Sequence, residues 1–191
     1  MFPNHCIAFA GTELLAKGEL VDVVRAVKAA LDKGAERSIA LLDAETSKPV
    51  DINFTGTEEE VLQRIPRAPG RTAGRPKLGV IPREVTLLPR HWEWLAKQPG
   101  GASVALRKLV ELASRDARDA DTMREARDAA YRFMHELMGD AAGFEEASRA
   151  LFAADGARFR TLVADWPQDV RTHLLELAGP AFGGADAAAV E

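Results

Sequence analysis

His5-Cys6 is the one adjacent pair of side chains in the chain that could make an imidazole-activated thiolate or the corner of a metal site. The other histidines, His91, His135 and His173, lie far apart, and no His/Cys spacing matches a zinc site. Asp43, Glu45 and Asp51 gather around a polar stretch where a cation could in principle sit. Turns favour Asp on backbone grounds alone, so that stretch reads as a solvated turn. No Gly-x-Ser-x-Gly elbow, phosphate-cradling Gly-x-x-x-x-Gly-Lys loop or dinucleotide fingerprint occurs. The sequence therefore assigns no catalytic residue, no metal ligand and no cofactor, and Cys6 reads as inert core.

The chemistry that is concentrated is cationic. The net charge is −4. Residues 71–115 nevertheless hold nine Lys/Arg against three Asp/Glu, whereas residues 1–70 hold eight against eleven and residues 116–191 eight against fifteen. A basic middle between acidic flanks suits a polyanionic partner. The bland alternative is that these cations only solvate helix faces.

Those cations must be placed by the elements around them. His5 to Ala10 is a short apolar strand, and Gly11-Thr12 permits a turn. Leu20, Val21, Val23, Val24, Val27 and Leu31 recur near 3.6-residue spacing, which predicts a helix over 19–33 that ends at Gly34. Residues 38–42 and 50–54 bracket the polar stretch Asp43 to Pro49 and predict a hairpin. Thr57 and Glu60 form a capping box ahead of Val61, Leu62 and Ile65. Residues 1–65 are thus expected to be a small α+β unit, ββαββα-like. Residues 66–77 are rich in Pro, Gly and Arg and read as a basic linker or arm.

Residues 78–115 predict a strand (83–88), a short helix begun by Pro89, a turn at Pro99-Gly100-Gly101 and a second helix capped by Ser103. Beyond them, helices are expected near 118–138, 143–154, 156–165 and 167–178. Their core is Phe133, Met134, Leu137, Phe144, Leu151, Phe152, Phe159, Leu162, Trp166, Leu174 and Leu177. Residues 116–180 then make a C-terminal helical part, and 181–191 an Ala-rich frayed tail. No run of about 18 apolar residues could span a bilayer. The first residues lack the basic and apolar regions of a secretory signal, and a single cysteine excludes an internal disulfide. A bacterial cytoplasm is the expected compartment.

Val85-Thr86-Leu87-Leu88-Pro89 followed by Gly101-Ala102-Ser103-Val104-Ala105-Leu106-Arg107-Lys108-Leu109-Val110 resembles a ribbon-helix-helix module. In that resemblance two chains pair their strands into a ribbon that enters the major groove. Arg83, Glu84 and Thr86 would then project toward bases. Gly101 and Ser103, with Arg107 nearby, would hold phosphate at the helix start. Leu87 and Leu88 stand side by side where a strand alternates, and the first helix is a turn short of the usual module. The alternative is a strand-helix-helix packed inside the protein on Trp92 and Trp94. Just upstream, Gly74-Arg75-Pro76-Lys77 resembles the core of an AT-hook, with Ala73 where that motif has a second Arg and Arg71 as the stand-in. Such an arm lies in the narrow minor groove of A·T-rich duplex.

Over nearly its full length the chain resembles an uncharacterised bacterial family, number 2239 among domains of unknown function. The resemblance is carried by Gly74 to Val80, Arg83 to Leu95, Gly100 to Arg107, Ala130-Tyr131-Arg132-Phe133-Met134 and Trp166-Pro167. It implies bacterial origin and brings no catalytic residues. The resulting expectation is a non-enzymatic DNA-binding protein, a transcription regulator or nucleoid-associated factor acting as a homodimer. The acidic C-terminal part would add dimer surface or meet a protein partner. A protein-interaction adaptor is the rival reading, and an enzyme with its site on the N-terminal unit is the third.

Overall fold

The computed structural model describes residues 2–35, 37–65, 79 and 81–183. It is an α+β fold in which two compact units are distinguished: Met1–Pro66 together with Asp121–Glu191, and Arg67–Ala120. The expected basic arm at 66–77 and the tail from 184 lie outside the described residues.

The first unit is built on a three-stranded antiparallel sheet of order β2-β1-β3. Its strands are β1 (His5–Ala10), β2 (Glu13–Glu19) and β3 (Ile39–Asp43). The unbroken apolar run Cys6-Ile7-Ala8-Phe9 suits a central strand, because a central strand here is covered on both faces. Gly11, at φ +61°, allows the chain to double back directly into β2. The ββαββα expectation counts this strand but places it on no residues. It sits at an edge with most of its side chains exposed or half-exposed, so no apolar alternation marks it. Its pairing with β1 skips Leu15, since Ala8 faces Ala16 and Phe9 faces Leu14.

Helix α1 (Leu20–Asp32) forms where its periodicity predicts. It ends in a Schellman motif: Gly34 N–H donates to Leu31 O (3.0 Å) and Ala35 N–H to Ala30 O (3.1 Å), with Gly34 at φ +78°. The predicted hairpin is largely replaced. Only a Leu42–Pro49 bridge and a Val50 N–H to Leu41 O bond (2.8 Å) remain of the 50–54 strand. Pro49 offers no N–H to a ladder, and Ser47 sits buried in the left-handed region at φ +54°. The order is therefore ββαβα, not ββαββα. Helix α2 (Glu58–Gln63) carries the predicted capping box: Thr57 Oγ1 accepts from Glu60 N–H (3.3 Å), and Thr57 N–H donates to Glu60 Oε2 (2.9 Å).

The two faces of the sheet bury different elements. Cys6, Ala8 and Leu41 pack with Leu20, Val23, Val24 and Val27 of α1 and with Val61 and Ile65. Ile7, Phe9 and Leu42, on the opposite face, pack instead with the C-terminal helices. These are α5 (Arg118–Met138), α6 (Phe144–Phe152), α7 (Gly156–Leu162) and α8 (Gln168–Ala178). Their core includes Phe133, Met134, Leu151, Phe159, Trp166 and Leu174, as predicted, whereas Phe152 is half exposed under Arg127. N- and C-terminal parts that look separable in sequence thus share one core, and a sheet sandwiched between helical layers results. Further fasteners join them: Arg132 Nε donates to Thr46 O (2.8 Å), and Leu14 N–H donates to Asp169 Oδ2 (2.9 Å). The start of the expected tail is also built in, because Gly179–Phe182 form a 3-10 turn that lays Phe182 near Phe159.

Candidate nucleic-acid interface

The second unit contains α3 (Pro89–Ala96) and α4 (Gly101–Asp116). Pro89 occupies the first turn of α3, where its missing N–H costs nothing. Gly100 (φ +82°) and Gly101 (φ +75°) then reverse the chain. A Cβ on Gly100 would sit 3.1 Å from Val104, so both geometry and space favour glycine there. Because Gly100 is itself the N-cap, α4 begins three residues earlier than the Ser103 cap predicts. Ser103 is therefore inside the first turn and does not cap the helix.

Two further expectations for this segment are corrected. Residues 81–88 form no strand in this chain, and Val85 and Leu88 are exposed rather than packed inside. The interior alternative fails as well, since Trp92 and Trp94 are 42% and 50% exposed and are not core anchors. The Gly101 amide is already used, donating to Gln98 O (3.0 Å), so it is not available to a phosphate. Arg107 folds its Nε back onto Ser103 O (3.1 Å), which leaves the rest of its guanidinium facing solvent. Arg83, Glu84, Thr86 and Ser103 are all exposed. Arg71, Arg75 and Lys77 lie outside the described residues.

The units differ in how many of their cations are paired. In the first unit Lys17, Arg25, Lys28, Arg37, Arg124 and Arg149 are each in an ion pair, whereas Lys33, Lys48 and Arg158 are exposed and in none. In the second, among the described residues, Arg83, Arg90, Lys97, Arg107 and Lys108 are exposed and in no ion pair, and only Arg115 has one, with Glu111 on its own helix (2.7 Å). Arg90 of α3 and Lys97, the residue that caps the helix, are seven residues apart and so lie on the same side as Trp94. An exposed cation without a carboxylate is free to exchange its counterions for nucleic-acid phosphate.

The other candidates contract on inspection. Asp43 spends one carboxylate oxygen on the N–H groups of Glu45 (2.9 Å) and Thr46 (2.8 Å), which is the turn role expected of it. Among the described residues no three of His, Cys, Asp or Glu are grouped to hold a metal. Cys6 is fully buried, and burial, aided by the negative charge of Asp43, pushes its thiol up to about 11. It is therefore a packed thiol rather than a thiolate at neutral pH. A hollow of about 450 Å³ beside β3 is lined mainly by apolar side chains such as Val27, Leu31 and Phe54, with Asp51 and Glu136.

The sequence gives no sign that His173 is buried. His173 packs edge-on to Phe133 (4.9 Å between centroids) with neither ring nitrogen hydrogen-bonded, and its Nδ1 is 3.6 Å from Glu176 Oε2. Burial lowers its pKa from the usual 6.5, the Lys17 charge adds to the fall, and Glu176 pulls the other way. Glu176 is lowered too, chiefly by its hydrogen bond from Lys17 Nζ (2.6 Å). An unfolded chain binds the His173 proton below pH 6.5 more readily than the folded one does, so folding stability must fall as pH drops through that range. The urea midpoint is expected to decline from pH 7 to pH 5, and His173→Phe should flatten that decline. An unchanged pH profile in the variant would show that His173 is not its source. Loss of the Glu176 contribution comes lower, below the ordinary 4.5 of its carboxyl.

A family model described as "Uncharacterized protein conserved in bacteria (DUF2239)" matches residues 5–178 of the chain. No curated protein and no solved structure matches it. The match runs through both units and ends at the last residue of α8.

Proposed function

The chain belongs to this uncharacterised bacterial family, DUF2239, and from the surface of its central unit we propose that it is a DNA-binding protein, either a transcription regulator or a nucleoid-associated factor. The observation that carries the reading is the set of exposed cations in no ion pair, Arg83, Arg90, Lys97, Arg107 and Lys108, in a chain whose net charge is −4. What supports the reading is their density in one segment of an acidic chain, where a phosphate backbone would neutralise them together. In this reading the sequence arm of Arg71, Arg75 and Lys77 adds a minor-groove contact with A·T-rich duplex. Arg83, Glu84 and Thr86 face bases, and Ser103 and Arg107 lie beside the backbone.

The test is a duplex-binding titration at several salt concentrations. With roughly four to eight phosphates neutralised, log affinity should fall against log salt with a slope of about −4 to −7. Arg107→Ala with Lys108→Ala should make that slope shallower by about 2 and weaken binding to all sequences alike. Arg75→Ala with Lys77→Ala should act mainly on A·T-rich duplex. Affinity that ignores salt, or no retention on heparin, would defeat the proposal and leave the interaction-adaptor reading, which the exposed apolar side chains of the same unit favour.

A further inference from the structure

The first unit leaves one edge of its sheet open, along β3. Alternate residues of that strand turn their backbone groups toward β1 and away from it, so Ala40 and Leu42 bond β1 while Ile39, Leu41 and Asp43 face outward. A full hairpin with residues 50–54 would have closed this edge by pairing Ile39 with Ile52. The chain instead leaves β3 after Val50. Leu41 O accepts from Val50 N–H (2.8 Å), but Leu41 N–H and both backbone groups of Ile39 have no partner among the described residues. The gap left behind is the hollow of about 450 Å³ beside β3. Val50, Ile52 and Phe54 lean onto the α1 layer, so one wall is Val27, Leu31 and Phe54. On the α5 side of the sheet the wall is Ala40, Leu42 and Glu136.

We propose that this hollow docks an extended basic peptide of another protein, which adds a strand to β3. Backbone groups facing outward in a row are completed by a strand, which supplies donors and acceptors at the same repeat. Ile39 and Leu41 are about 7 Å apart along β3, so three guest residues span the unpaired stretch. Successive side chains of the guest go to opposite faces. An apolar residue then meets Val27, Leu31 and Phe54, and its neighbours reach Glu136 on the other face. Charge selects basic neighbours: Asp51 and Glu136 are exposed and in no ion pair, and no Lys, Arg or His lines the hollow. A second copy of this chain fits less well. Pairing β3 with β3 about a two-fold axis would bring each of these carboxylates to a seam with its own equivalent and no cation. The site uses none of the cations read as DNA contacts, so it stands apart from that reading.

The test is titration of the full chain, free of nucleic acid, with an octapeptide of alternating lysine and valine blocked at both ends. Saturable binding at or below about 100 µM is expected. The amide resonances of Ile39 and Leu41 should shift, and their hydrogen exchange should slow at least about tenfold. Two N-methylated versions of the peptide, one at the valines and one at the lysines, keep its charge. One of them should bind at least about tenfold more weakly, because a strand turns the N–H groups of alternate residues toward its neighbour. Asp51→Asn with Glu136→Gln changes two exposed side chains and should weaken binding about tenfold with unaltered far-UV circular dichroism. No saturable binding would overturn the proposal, as would full affinity of both methylated peptides or of the double variant. Protection of the Ile39 and Leu41 amides that grows with protein concentration, without peptide, would assign the edge to a second copy and overturn it too. Because no DNA is present, failure here is distinct from failure of the salt titration.

Discussion

A fragment ending at Ile65 is expected to show no cooperative unfolding transition, although it contains the whole sheet. Ile7, Phe9 and Leu42 face the C-terminal helices, and cutting those helices away returns all three side chains to water. Each exposure costs about 1.5–3 kcal/mol, and together they approach the roughly 5–15 kcal/mol that holds an ordinary domain folded. Helices α1 and α2 still cover the other face, but a sheet buried on one side by two short helices lacks the layer that completes it. Urea and thermal melts of the fragment beside the full chain provide the measurement. A sigmoidal transition in the fragment, with dispersed amide resonances, would show that the two terminal parts fold separately.

The second large effect is expected at Phe133, which is fully buried where the two parts meet. Its ring lies edge-on to Phe9 (5.4 Å) from β1 and to His173 (4.9 Å) from α8. Phe133→Ala should destabilise the first unit by about 3–5 kcal/mol, the sum of lost transfer energy and the cavity left behind. The urea midpoint should fall with little change in slope, since the unfolding reaction stays the same. A double-mutant cycle with Phe9→Leu makes the argument specific. A coupling of about 0.5–1.5 kcal/mol is expected for the ring pair. Strict additivity would mean that β1 and α5 do not share the core described above.

Much of the local structure was legible in the residues. Helix α1 with its Gly34 stop, the Thr57–Glu60 capping box, Pro89 at a helix start and the four C-terminal helices all follow from short-range signals. Each depends on contacts within a few residues, so the chain needs no knowledge of its remote parts to specify them. Strand β2 gave no such signal, because its apolar residues Leu14, Leu15 and Ala16 are consecutive rather than alternating and none of its side chains is fully buried. The 50–54 strand failed for the opposite reason: its β-branched residues suited a ladder, but Pro49 and the buried turn at Ser47 steer it away from one. At the candidate interface the cations were legible as composition, whereas Ser103 was misplaced because Gly100 could start the helix earlier.

By itself, then, the sequence determined which segments are helical, where they stop and where positive charge accumulates. Those properties are local or additive, and they survive whatever the rest of the chain does. Tertiary structure alone decided that residues far apart in sequence close one core across a sheet, that His173 is buried without hydrogen bonds, and that the apolar half of α4 is uncovered. The unbroken apolar run of β1 announces that both faces are covered, but not which distant helix fills each. That choice is made by packing between elements more than a hundred residues apart, where shape and volume must match in three dimensions.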